Sequence, residues 1–307
     1  MKKILKLMLI ASTITTFTQA ADIEIITSDN TDGKITTKSI EDAFVQAGFT
    51  VSANRDMNGP FKMQFKETGF DVYNLFTFYK KDTVLELVKK YPNVGLFAPM
   101  SMSIYTKKGE KSISVSSLTV DALANIMKAP KDDKTLVALR KLVKDTLQKA
   151  LPNGTFTTPS YKAQAPKGEL VTAVSMEMDP DEWKDELDSF KMEFEGELTT
   201  KGFVVAGFND LGADFKKAKY DAFHFYKVYS ICKLPVIYSI AKTRPEAGAF
   251  APCSLYLSKK SQDKMMHIAF PSVYNWLSTM NIENKDEIKI LENAQKSMIK
   301  ILKELME

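Results

Sequence analysis

Four side chains in this sequence could do thiol, imidazole or soft-metal chemistry, and all four lie in its second half: His224, Cys232, Cys253 and His267. Two Cys with two His is a set that zinc accepts. The spacing argues against convergence. His224 and Cys232 stand at opposite ends of one expected strand, roughly 26 Å apart at about 3.3 Å per residue. In the hairpin expected next, Cys253 takes an inward position and His267 an outward one. Neighbours on opposite faces of a sheet do not share an ion. No metal and no cofactor are therefore expected. Cys232 and Cys253 remain as a pair, both at strand ends joined through a helical crossover. If the crossover returns the chain antiparallel, the sulfurs come within bonding reach. A disulfide would close a loop of about twenty residues, worth on the order of 3 kcal/mol. The alternative is two buried thiols acting as small apolar side chains. Both readings stand at this point.

Other chemistry is weaker. Fifteen methionines invite soft copper ligation, with Met100 and Met102 two apart on a strand. Methionine also fills core gaps, and Leu255 stands where Met102 stands in the other half. The carboxylates of Asp179–Glu197 alternate with lysines on an amphipathic helix and read as a solvated face. No glycine-rich phosphate loop or nucleophile elbow is present. The first half has no His at all, so the two halves cannot share imidazole acid–base chemistry. No catalytic set is expected.

The elements that would position these residues come in two copies. Gly95-Leu96-Phe97-Ala98-Pro99-Met100-Ser101 is answered by Gly248-Ala249-Phe250-Ala251-Pro252-Cys253-Ser254. Laid over each other without a gap, Tyr73–Met127 and Tyr226–Met280 agree at roughly a quarter of positions. Such a period is too long for a solenoid unit and means two copies of a domain. In the first, strands are expected at Ile23–Thr27, Phe49–Ala53, Asp71–Phe78, Met100–Thr106 and Lys111–Ser116. Helices are expected at Thr37–Ala47, with Ser39 as its cap, at Phe61–Lys66, Asp82–Lys90, Thr119–Lys128 and Thr135–Leu151. The second runs in the same order to a terminal helix at Lys285–Met306. The fold class is α+β: two tandem β-α-β-α-β-α-β-β-α domains, each a mainly antiparallel sheet with helices on one face. The boundaries read 1–20 leader, 21–151 first domain, 152–168 linker and 169–307 second domain.

The leader carries Lys2, Lys3 and Lys6 ahead of a short apolar run, Leu7 to Phe17, then Thr18-Gln19-Ala20. This reads as a signal peptide cleaved after Ala20, giving a periplasmic or secreted chain that touches membrane only through the leader. Its loss brings the formal charge of +4 close to neutral, which excludes a nucleic-acid partner.

Gly202-Phe203, Cys232 at a strand end and Pro252-Cys253 opening a hairpin together resemble the bacterial domain-of-unknown-function 302 family. The first half keeps Gly48-Phe49 and Pro99, with Tyr79 and Met100 at the cysteine positions. The resemblance implies an α+β sandwich and brings no established activity. The expected function is non-catalytic binding of a small molecule or an envelope protein. The site would be the sheet face and the cleft near the repeated turns, with Phe97, Pro99, Phe250, Pro252 and Cys253. The rival is thiol redox or metal chemistry at Cys232 and Cys253.

Overall fold

The computed structural model describes residues 22–306. The expected leader and its cleavage point lie outside the described residues. The first domain runs β1 (Ile23–Asp29), α1 (Thr37–Gln46), β2 (Thr50–Asp56), α2 (Asn58–Phe65), β3 (Phe70–Tyr79), α3 (Lys81–Lys90), β4 (Met100–Lys107), β5 (Ser112–Leu118), α4 (Val120–Met127), α5 (Lys134–Ala150) and β6 (Thr155–Thr157). The second runs β7 (Val171–Glu177), α6 (Trp183–Thr200), β8 (Val204–Asp210), α7 (Leu211–Lys217), β9 (Phe223–Cys232), α8 (Leu234–Thr243), β10 (Cys253–Lys260), β11 (Met265–Pro271), α9 (Tyr274–Thr279) and α10 (Lys285–Glu304). A 3-10 turn precedes each hairpin, at Val94–Leu96 and Pro245–Ala249. The α+β class and the tandem order are as the sequence implied.

Both sheets are antiparallel throughout. Their orders are β2-β3-β4-β5-β1-β6 and β7-β11-β10-β9-β8. Three local details differ from expectation. Thr36, not Ser39, caps α1; Ser39 is the third residue of a capping box and returns a hydrogen bond to the cap. Thr155–Thr157, expected in the linker, adds to β1 as an edge strand. Helix α9, unmarked by apolar periodicity, sits between β11 and α10.

Strand alternation sends Met102 and Ile104 to the helix side, where Met102 and Val143 of α5 line one cavity. It sends Ser101 and Ser103 to the other side. A serine face ordinarily meets water, yet Ser103 and Ser116 are fully buried. The cause is the other domain. The turn Pro245–Ala249 lies on β4 and β5, and the turn Val94–Leu96 lies on β10. The Ser103 hydroxyl donates to the Pro245 carbonyl at 2.8 Å, and the Tyr73 hydroxyl donates to the same oxygen at 3.1 Å. In the mirror arrangement, the Tyr226 hydroxyl donates to the Pro92 carbonyl at 2.7 Å and accepts from the Gly95 N–H at 2.8 Å. Ser101 donates to the Pro252 carbonyl and Ser254 to the Pro99 carbonyl, both at 3.0 Å. Each domain thus satisfies buried carbonyls of the other's repeated turn, as buried polar groups require. Gly95 and Gly248 permit this approach. A Cβ on Gly248 would come within 2.8 Å of the Ser103 Cα, and one on Gly95 within 2.6 Å of the Tyr256 Cβ.

Candidate functional site

The repeated phrase is the junction of the two domains. Ala98, Pro99, Phe250 and Pro252 are buried there, and Phe97 is partly buried. Among the five residues expected to line a binding cleft, the two prolines spend their carbonyls on the serine bonds just described. Phe250 borders a narrow crevice of ≈ 40 Å³ beside Asp22 and Asn275. Cys253 does something different. It lines an apolar cavity of ≈ 70 Å³ between the second sheet and α10.

Cys232 lines the same cavity. It ends β9, and Cys253 begins β10 opposite Ile231, so adjacent strands place the two thiols near one wall. They are free thiols; the disulfide that strand geometry allowed is not formed. Burial pushes each thiol up to about 12, with the neighbouring Cys253 adding to the effect at Cys232. Thiols held so far above neutrality carry almost no thiolate, the nucleophilic form. The other walls come from Phe203, Phe270, Trp276, Leu291 and Met298. Lys233 borders the cavity with its ammonium 4.7 Å from the Phe203 ring centroid, and burial lowers its pKa. The one polar side chain from α10 is Gln295. Its amide donates to the Thr172 hydroxyl at 2.6 Å and its carbonyl accepts from the Val273 N–H at 3.1 Å.

The same place in the first domain is almost closed, at ≈ 10 Å³. Tyr79 stands where Cys232 stands, Met100 where Cys253 stands and Leu123 where Trp276 stands. Alignment of the buried helix faces sets Arg140 of α5 against Gln295 of α10. Arg140 bonds Ser117 at 3.0 Å and pairs with Glu24 on β1, the counterpart of Thr172 on β7. Burial works against the Glu24 carboxylate, but the hydrogen bonds and charges of Arg140 and Lys144 win and hold its pKa below the ordinary range. Burial pulls Arg140 down, opposed by Glu24. One domain therefore fills the space with large side chains and an ion pair. The other leaves it lined by sulfur, aromatic and aliphatic groups with a neutral hydrogen bond at the same point.

The histidines lie elsewhere, as the strand geometry implied. His267 of β11 bonds Ser175 of the edge strand β7 at 2.8 Å and Asp263 at 3.2 Å. His224 stacks on Trp183 with centroids 4.9 Å apart. Among the described residues no cluster of His, Cys, Asp or Glu could hold a metal ion, and no helix is long and apolar enough to cross a membrane. Sequence reasoning found both cysteines but missed Trp276, Gln295 and the cavity, because these depend on size differences between aligned positions far apart in the chain. The signal available was the pairing of Tyr79 with Cys232 and Met100 with Cys253 across the repeat.

A family model described as "Domain of unknown function DUF302" matches residues 25–152 and again residues 182–305. A crystal structure of an uncharacterized conserved DUF302 protein from Bacillus stearothermophilus is similar over 46% of this chain and 100% of that one, at 14% identity and a TM-score of 0.38. No curated protein matches.

Proposed function

The chain belongs to the DUF302 family, whose function is unknown, and from that premise we propose that it is an exported, non-catalytic protein that holds a small apolar ligand in the second-domain cavity. The observation that carries this is the contrast between aligned cavities: ≈ 70 Å³ open in one domain against ≈ 10 Å³ in the other. Apolar walls with a few placed polar groups are the usual make-up of a small-molecule site. The high thiol pKa values and the distance of both histidines from the cavity support a binding role over thiol or acid–base catalysis. Export rests on the lysine-led apolar leader and the small residues before Ala21.

Trp276 reports on the site. Trp183→Phe leaves it as the sole indole of the two in the chain. Titration with straight-chain fatty acids of increasing length should give a saturable fluorescence shift in that variant. Adding Cys253→Met, the first domain's residue, should fill the cavity and abolish the shift. A shift that survives Cys253→Met, or none with any chain length, would refute the reading. Thiol titration in denaturant should find two free thiols before and after reductant; a gain on reduction would favour the redox rival instead.

A further inference from the structure

The pseudo-symmetric junction has two flanking clefts, and only one is filled. In the filled one, Tyr161 of the interdomain segment donates from its hydroxyl to Glu246 at 2.8 Å. The Arg244 guanidinium lies 4.8 Å from the Tyr161 ring centroid. Burial and Glu246 hold the Tyr161 hydroxyl firmly protonated, with Tyr105 nearby. The symmetry-related positions of Arg244, Glu246 and Tyr105 are Tyr91, Asn93 and Ser258. All three line a second cleft, which stands open with ≈ 400 Å³ of space. The chain passes from one domain to the other only once, so it supplies one such tyrosine.

The two sides of the junction differ at one aligned sheet position and in the extent of the turn. Tyr256 stands where Ser103 stands in the filled half, and its ring stacks on Tyr226 with centroids 5.4 Å apart. Ser103 lets the turn Pro245–Ala249 settle onto β4 and β5. Gly95 comes as close to the Tyr256 Cβ as Gly248 does to that of Ser103, but the turn Val94–Leu96 is shorter than Pro245–Ala249 and meets sheet two less extensively. The Tyr256 hydroxyl is raised to about 12 by burial alone.

The charges also differ: Arg244 of the filled cleft becomes Tyr91. The carboxylate Glu246 becomes Asn93. Lys90, Lys260 and His267 line the open cleft where Thr243, Lys107 and Ser114 stand in the other half. Lys90 shares Asp133 at 3.2 Å and His267 shares Asp263 at 3.2 Å, while Lys260 is exposed.

We propose that this open cleft binds a small aromatic anion, its ring taking the place that Tyr161 takes in the filled cleft and its negative charge meeting Lys260 and Lys90. This site is separate from the sheet–helix cavity of the preceding proposal. The probe is phenyl phosphate, titrated calorimetrically into the full chain beside inorganic phosphate. Saturable binding is expected, with inorganic phosphate at least about tenfold weaker because it lacks the ring. Lys260→Glu, an exposed change compatible with folding, should weaken phenyl phosphate about tenfold or more. Lys107→Glu, its counterpart beside the filled cleft, and Cys253→Met should leave it unchanged. Ser258→Phe should block the site while circular dichroism stays native. No saturable binding, equal binding of inorganic phosphate, indifference to Lys260→Glu, or an equal loss in Lys107→Glu would each overturn the assignment.

Discussion

In the first domain, Met100 and the Arg140–Glu24 pair fill the space between sheet and terminal helix, and Tyr79 turns its hydroxyl to Asp214. In the second, Cys232, Cys253 and the Gln295–Thr172 pair occupy the aligned positions and leave ≈ 70 Å³ open. The backbone plan is shared, so the difference lies in side-chain volume and charge. It teaches that a duplicated scaffold can keep its packing in one copy while the other acquires a cavity, at the expense of a few methylene contacts and one ion pair. The junction shows the same division of labour. The turn Pro245–Ala249 spreads over β4 and β5, whereas the shorter turn Val94–Leu96 covers less of its sheet and leaves a cleft beside it.

The comparison can be broken most severely at the two junction glycines. A methyl on Gly248 meets the Ser103 backbone, so Gly248→Ala should cost about 3 kcal/mol or more by denaturant unfolding. Gly95→Ala meets mainly Tyr226 and Tyr256 side chains and should cost about 1–2 kcal/mol. Equal losses would mean that the two turns are seated alike. The polar pairs come next. Arg140→Ala removes a buried guanidinium and its bond to Ser117 and leaves Glu24 with Lys144 alone, so it should cost about 2 kcal/mol. Gln295→Ala removes a neutral bond and should cost about 1 kcal/mol in the same assay. Reversal of that order would deny the ion pair its structural role.

Smaller effects sharpen the contrast. Cys253→Met imports the first domain's residue into existing space, so its stability should change by under about 1.5 kcal/mol in thermal denaturation while ligand response is lost. Acid should act through the first domain's pair. The Glu24 pKa lies below its unfolded value, so its contribution is present above about pH 4.5 and fades as pH falls through the folded value. Gln295 and Thr172 do not titrate. The double variant Glu24→Gln/Arg140→Gln should therefore lose less stability than the parent between about pH 6 and about pH 3. The difference should stay below about 1 kcal/mol, because Glu24 is only half-buried.

Much of this was legible in the sequence, for identifiable reasons. Periodicity and turn residues gave strand β9 at Phe223–Cys232 to the residue and placed both hairpins. The repeat placed Cys232 opposite Tyr79 and Cys253 opposite Met100. The buried serines were not legible. Alternation assigns Ser103 and Ser116 to water, and only the approach of Pro245–Ala249 buries them. The repeated phrase lies in the seam between the domains, where its carbonyls and glycines make contacts that no local pattern records. Arg140 reads as a solvent-side charge on α5 until Glu24, more than a hundred residues earlier, is folded beside it.

The reciprocal bonds from Ser101 to Pro252 and from Ser254 to Pro99 carry a mechanical consequence. They clamp the two halves at a crossing point, with no free hinge for opening and shutting like a jaw. The junction cleft already opens to solvent without any parting of the halves. Heating should melt the molecule as one body, in a single calorimetric endotherm.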